Sequence, residues 1–227
     1  MENESFLSEQ IITYIGNKRK LLPYIDEAVK GIKKNLKKEK LSCADIFSGS
    51  GIVARLLKQH SSLLITNDLE DYSRIINTCY LTNRDVFDEE NYDRIRRRLD
   101  EFCRELRPGI IAENYAPEND EKIQPHERVF FTTRNAAYID TVMHFVQAEI
   151  DEQDRRFFIA PLLYEASVHA NTSGVFKGFY KNSRTGIGQY GGNAENCLER
   201  IKADMYLKKP VFSSCNMYIP SQEGIKI

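Results

Sequence analysis

No two cysteines of this chain stand in a C-x-x-C arrangement, and the five present (Cys43, Cys79, Cys103, Cys197 and Cys215) are odd in number and widely spaced. That pattern excludes a disulfide framework and a cysteine zinc site, and it points to a reducing cytoplasm. The four histidines (His60, His126, His144 and His169) are equally scattered, so no His-ligated metal is expected. Long apolar runs are missing: none approaches the ~18 residues of a membrane span, and the opening MENESFLSEQ is polar where a signal peptide is not. Charge of one sign is missing too. Lys and Arg number 32 against 33 Asp and Glu, a net charge of -1, so any surface for nucleic acid has to be local. No repeat or low-complexity tract is present. The 227 residues suit one sizeable domain, or one domain with an insertion, long enough to close its own core.

What is present reads as alternating strands and helices at the start and helices afterwards. Pro23 opens a helix whose Ile25, Val29, Ile32 and Leu36 recur at three and four, with Lys30, Lys33, Lys34, Lys37, Lys38 and Lys40 on its other face. CADIF (43–47) reads as a strand, 51–60 as a helix, LLIT (63–66) as a second strand and DYSRIINTCYLTN (71–83) as a helix. The order is that of a parallel sheet with covering helices. Residues 91–107 carry Ile95, Leu99, Phe102 and Leu106 at helical spacing, surrounded by Arg94, Arg96, Arg97, Arg98 and Arg104. This is an amphipathic helix first and a DNA-facing one second. Residues 109–127, with two prolines and many polar side chains, read as a loop. Helices follow at 133–150 and 154–170, the second bent by Pro161.

The chemistry sits in the turn after the first strand. Gly49 and Gly51 permit positive φ and a close backbone approach to a ligand, and Asp68, at the end of the next strand, borders the same crevice. There it can accept hydrogen bonds from two ribose hydroxyls. Gly49-Ser50-Gly51-Ile52-Val53-Ala54 also satisfies G-x-G-x-x-A, so the turn alone does not separate NAD from S-adenosylmethionine, nor either from a plain tight turn. Asp45 favours the second, because a carboxylate there suits an ammonium group and repels a pyrophosphate.

The segments YIGNKRKLL, DIFSGSG and NDLEDYSRIIN, in that order, resemble the N6-adenine DNA methyltransferases of the alpha arrangement, the DNA adenine methylase family. The likeness is firm over residues 11–83 and extends more weakly over 128–145 and 164–182. It implies a Rossmann-like S-adenosylmethionine-dependent methyltransferase sheet, present in part, with a mostly helical target-recognition insert. On that reading 1–88 is the cofactor-binding α/β portion, 89–200 the insert and 201–227 a return towards the sheet. Carried over, Tyr14, Gly16 and Lys18 border S-adenosylmethionine, with Lys18 close enough to sense the target base. Asp45, Phe47, Gly49 and Gly51 hold the methionine part, and Asp68 the ribose.

One element of the resemblance is missing. The family's Asp/Asn-Pro-Pro-Tyr/Phe motif accepts the amino hydrogens of a flipped adenine and stacks on the base, yet no two of the seven prolines here are adjacent. No catalytic residue is therefore assigned in this chain. Without later strands the first strand would keep an unpaired edge. The expectation is an N-terminal part completed by a separate polypeptide, a second copy or sequence lost by truncation; the rival is a non-catalytic S-adenosylmethionine- or DNA-binding remnant. For double-stranded DNA the best region is 171–192, which holds six of the twelve glycines. There Lys177, Lys181 and Arg184 suit phosphates, and Phe179 or Tyr180 suits the place of a flipped base.

Overall fold

A computed structural model of the chain describes residues 4–8, 12, 18–172, 178–192 and 196–215. The chain divides into two compact units, one of residues 1–88 with 210–227 and the other of residues 89–209.

The first unit runs α1 (Glu4–Ser8), α2 (Leu22–Leu36), β1 (Leu41–Asp45), α3 (Ile52–His60), β2 (Ser61–Thr66) and α4 (Asp71–Tyr80). Proline in its first turn opens α2, and Lys37, in the left-handed conformation at φ 52°, closes it by donating its N–H to the carbonyls of Lys33 and Lys34. β1 and β2 pair in parallel with α3 as their crossover, and the pairing ends on Asp45 opposite Thr66. The two strands therefore stop level, which puts the residues that follow each of them side by side. Val29 of α2, Ala54 and Leu57 of α3, Leu41 and Leu64 of the strands and Leu81 form the core, with Ile25, Cys43 and Val53 packed against it. Each fully buried side chain of this size contributes roughly 1.5–3 kcal/mol.

This unit also buries two cations that the sequence leaves looking solvent-exposed. The Arg55 guanidinium lies 4.5 Å from the centre of the Phe6 ring and 5.3 Å from that of Tyr80. Lys58 Nζ donates to the carbonyls of Leu81 (2.8 Å) and Thr82 (2.9 Å) at the end of α4. β1 starts and ends two residues earlier than CADIF suggests. Ile46 and Phe47 belong to the turn, because the ladder ends where β2 ends.

The second unit is helical: α5 (Glu89–Phe102), α6 (Ile110–Tyr115), α7 (Thr133–Glu149), α8 (Glu152–His169, with Pro161 inside it) and α9 (Cys197–Lys202). Leu99, Val142, Phe145 and Val146 are buried, and the Tyr92 and Phe158 rings stack at 4.9 Å. Helix α6 corrects the expected loop. Asp140, from α7, accepts from the N–H groups of Gly109 (2.8 Å), Ile111 (3.0 Å) and Ala112 (2.8 Å), and so satisfies a helix start that has no local cap.

The arginines of α5 are engaged within the unit. Arg96 pairs with Asp100 (2.8 Å) and Arg98 with Glu149, while Arg94 donates to Asn91 and Arg97 to the Asp93 carbonyl; just past the helix, Arg104 pairs with Glu101 (2.8 Å). The helix is amphipathic, with Tyr92, Ile95 and Leu99 buried on one side. Among the described residues no helix is long and apolar enough to cross a membrane.

Candidate functional site

Between Asp45 and Ile52 the chain makes a turn that is stitched to the end of β2. Asn67 N–H donates to the Asp45 carbonyl (2.9 Å), Ser48 N–H to the Asn67 carbonyl (3.0 Å) and Gly51 N–H to the Ser48 carbonyl (2.7 Å). Gly49 and Gly51 adopt φ of 49° and 74°, a region that costs a residue with a Cβ roughly 1–2 kcal/mol. Asp68 closes the crevice: Oδ2 accepts from Gly49 N–H at 2.7 Å and Oδ1 from Glu70 N–H at 3.1 Å. Each carboxylate oxygen has a second lone pair, so the group retains acceptor capacity after both bonds.

Asp45 is the electrostatic centre of the crevice. Burial raises its pKa above the usual carboxylate value, and the charge of Asp68 acts in the same direction. The Lys18 charge and backbone N–H groups of Ala54 and Phe47 pull it back. Its Oδ2 is buried with no hydrogen-bond partner, an orphaned acceptor of the kind a cationic ligand group would satisfy. Beside it, Phe47 is 75% exposed and Leu69 97% exposed.

Of the residues singled out in the sequence, the structure brings Asp45, Gly49, Gly51 and Asp68 together in one turn, with Lys18 near enough for its charge to act on Asp45. Phe47 stands in the same turn and does not pack on the sheet. Tyr14, Gly16 and Lys177 lie outside the described residues.

Phe179, Tyr180, Lys181 and Arg184 belong to a hairpin. Its antiparallel bridge is Lys181 with Gly188, and a separate antiparallel bridge joins Phe179 back to Thr172. Asn171 anchors its base, with Nδ2 donating to the carbonyls of Val129 (2.7 Å) and Gln189 (2.8 Å) and Oδ1 accepting from Gly191 N–H (3.1 Å). Tyr190 ties it further through its hydroxyl to Asp120 (2.5 Å). At the tip, Asn182 Oδ1 accepts from the N–H groups of Arg184 (3.0 Å) and Thr185 (3.1 Å), which leaves Lys181, Ser183 and Arg184 exposed. Phe179 meets the Phe130 ring edge-on at 5.2 Å, so its ring serves hairpin packing, and Tyr180 is only partly exposed.

Sequence reasoning missed three polar residues beneath the turn. Asn77 of α4 donates through Nδ2 to Ser48 Oγ (3.1 Å) and Ser73 Oγ (3.2 Å), and Ser48 Oγ in turn donates to the Asn67 carbonyl (3.1 Å). The place a Cβ on Gly51 would take lies 2.6 Å from Asn77 Oδ1. The requirement for glycine at this position is therefore set from inside the protein, whatever approaches from outside. Leu69 was missed as well, although its position directly after Asp68 was the available signal.

These features define a mixed α/β protein in which a parallel strand-helix-strand unit presents a glycine turn closed by an aspartate. The profile of the D12 class N6 adenine-specific DNA methyltransferases matches residues 14–200, and the chain belongs to that family.

Among curated proteins it is similar to the type II methyltransferase M.NlaIII of Neisseria lactamica, at 31% identity over 178 residues, 75% of this chain and 50% of that protein. It is similar also to the modification methylase LlaI of Lactococcus lactis subsp. lactis, at 28% over 182 residues, 74% of this chain and 27% of that one. A third is the type II methyltransferase M.CviAII of Paramecium bursaria Chlorella virus 1, at 28% over 175 residues, 75% of this chain and 49% of the other. The chain thus spans about half, or less, of the length of these relatives. No solved structure matches it. Methyl donation by S-adenosylmethionine is what membership of the family implies.

Proposed function

We propose that this chain supplies the S-adenosylmethionine pocket and a DNA-contacting hairpin for transfer of a methyl group to adenine N6 in a specific duplex site, as the modification half of a cytoplasmic restriction-modification pair. The observation that carries the reading is the buried, unpartnered Asp45 Oδ2 beside a turn whose Gly49 N–H is fastened to Asp68. When bound, the cofactor's sulfonium supplies the transferable methyl group. The chain's own residues do the holding. Asp45 receives the ammonium, Asp68 accepts from the ribose hydroxyls, and Phe47 and Leu69 offer apolar walls. Tyr14, Gly16 and Gly51 border the same ligand, and Lys18 lies between the acidic pair and the target base. The surrounding α/β layer is part of the Rossmann-like sheet of such enzymes, two strands of it lying among the described residues.

The acceptor side of the reaction needs the Pro-Pro motif, and these 227 residues contain no adjacent prolines. On this reading the motif comes from sequence beyond them, in the same polypeptide or in a partner chain that pairs with the edge of β1 left unpaired among the described residues. The 227 residues alone then bind the methyl donor without transferring its methyl group.

Titration calorimetry with S-adenosylmethionine and with NAD tests the pocket. Binding of the first and not the second is expected, and the reverse overturns the reading. The pH dependence carries a further expectation. Asp45 is held above its ordinary pKa in the free fold, so its ionisation as pH rises through that raised value costs stability. An ammonium needs the ionised form, so below that value affinity should fall by about tenfold per pH unit with release of one proton on binding. Asp45→Asn is expected to abolish this dependence and to bind weakly at every pH. An unchanged pH profile in the variant removes Asp45 from the site.

For DNA, Lys181 and Arg184 are the phosphate contacts and Phe179 or Tyr180 takes the place of the flipped base, with Lys177 from the same stretch of sequence; exposure of Lys181 and Arg184 at the hairpin tip supports this. Each phosphate contact contributes about 0.9 to the slope of log affinity against log salt. Replacing Lys181 and Arg184 together by alanine is thus expected to lower the slope by about 2 in filter binding to a short duplex. Identical slopes for the two proteins place the DNA elsewhere.

A further inference from the structure

We propose that Asn77 is a positioning residue for the methyl-donor pocket, acting on it from behind through Ser48 and Gly51; this rests on the cofactor reading of the glycine turn given above. Helix α4 begins three residues after Asp68, so the helix that follows the ribose-side aspartate also reaches back under the turn. Asn77 is buried at 4% exposure, and its Nδ2 holds Ser48 Oγ (3.1 Å), Ser73 Oγ (3.2 Å) and the Ser73 carbonyl (2.9 Å). Ser48 stands between Phe47 and Gly49, and its own hydroxyl reaches the Asn67 carbonyl at 3.1 Å. A shift of Ser48 therefore moves Gly49 N–H away from Asp68 Oδ2, the 2.7 Å contact that sets the width of the crevice.

The other half of the amide does something different. Asn77 Oδ1 is buried, has no hydrogen-bond partner and lies 2.6 Å from where a Cβ on Gly51 would be. An unsatisfied buried oxygen is unfavourable for folding. Its location fits a spacer that keeps the turn at φ 74° on one side while the amide nitrogen fixes Ser48 on the other. Misplacement of a site by about 1 Å is enough to cost two orders of magnitude in function. The pocket's geometry thus depends on a residue that touches no ligand.

The experiment is calorimetry of the 227-residue chain with S-adenosylmethionine, each variant's thermal midpoint being measured alongside. Asn77→Ala is expected to weaken binding at least tenfold, and Asn77→Ser, which keeps a hydroxyl donor, to recover part of that loss. Ile76→Val, a fully buried neighbour on the same helix, is expected to lower the midpoint and leave affinity within twofold. Gly51→Ala is expected to cost less affinity in the Asn77→Ala background than alone, because the oxygen it collides with is gone.

Wild-type affinity in both Asn77 variants overturns the proposal. So does a loss of affinity that tracks the midpoint equally in Ile76→Val, and so do Gly51 and Asn77 losses that simply multiply. Should Asn77→Ala fail to fold, Asn77→Ser alone and combined with Gly51→Ala decides the matter by the same criteria. A wild-type chain that does not bind S-adenosylmethionine overturns the pocket itself; one that binds it, with Asn77 variants binding equally, overturns only the role of Asn77.

Discussion

Asp68→Ala is expected to weaken S-adenosylmethionine binding by about a hundredfold, close to 3 kcal/mol. Two losses combine in it. The carboxylate holds the turn shut through Gly49 N–H at 2.7 Å and the start of α4 through Glu70 N–H at 3.1 Å, and hydrogen bonds to a charged acceptor contribute about 1.5–3 kcal/mol each. Its remaining lone pairs are the acceptors proposed for the ribose hydroxyls. Alanine removes both roles and leaves the Gly49 N–H without its partner. Asp68→Asn separates them. One amide oxygen can still accept from Gly49, while the amide nitrogen turns a donor towards either the Glu70 N–H or the sugar, so an intermediate loss of about tenfold is expected. Calorimetry reads both values, and a circular dichroism spectrum matching wild type shows that the fold survives. An Asp68→Ala protein whose affinity stays within threefold of wild type takes the ribose role away from this residue.

The part of the site that was legible in the sequence is the part built from one continuous strand-turn-helix-strand segment. Asp45, Gly49, Gly51 and Asp68 lie within 24 consecutive positions, and parallel pairing that ends level brings them together without help from elsewhere. What was not legible depends on a helix folding back. Asn77 is an unremarked polar residue in an amphipathic stretch, and nothing about its spacing says that its amide reaches Ser48 and fills the space beside Gly51. From sequence, the two missing Cβ atoms fit a ligand's approach or a plain tight turn. For Gly51 the structure shows an internal claimant for that space.

The fold divides along the same line. Helices α2 and α5 follow from apolar residues that recur at three and four. Helix α6 does not, since its start is satisfied by Asp140 from a helix later in the chain. Charged residues mislead most. The arginines around α5 read as the polar side of an amphipathic helix first and a DNA-facing one second, and three of them, Arg96 and Arg98 in the helix and Arg104 just past it, meet acidic partners within their own unit. Arg55 and Lys58 sit in α3 where a solvated face would be expected, and both are buried. Composition reports how many charges there are; only packing decides which of them reach water.

Lys58→Met is therefore expected to destabilise the first unit by about 3 kcal/mol, an effect out of proportion for a lysine on a helix. The side chain is 0% exposed, and its ammonium donates to the last carbonyls of the α4 segment, Leu81 at 2.8 Å and Thr82 at 2.9 Å. Those carbonyls follow a helix whose dipole places partial negative charge at that end, so a cation there is favourable twice, as donor and as charge. Methionine keeps the length and the apolar stem but leaves both oxygens without this donor. An unsatisfied buried acceptor costs about 1–3 kcal/mol. In a unit of this size a loss of 3 kcal/mol lowers the thermal midpoint by roughly 10–20 °C. Lys34→Met on the exposed side of α2 is the matched control and should stay within about 0.5 kcal/mol of wild type. The consequence reaches the crevice, because α4 carries Ser73 and Asn77 under the glycine turn and Lys58 is what fastens its far end to α3. Chemical denaturation of the two variants checks the stability difference, and equal midpoints mean that the buried ammonium contributes nothing the methionine stem does not.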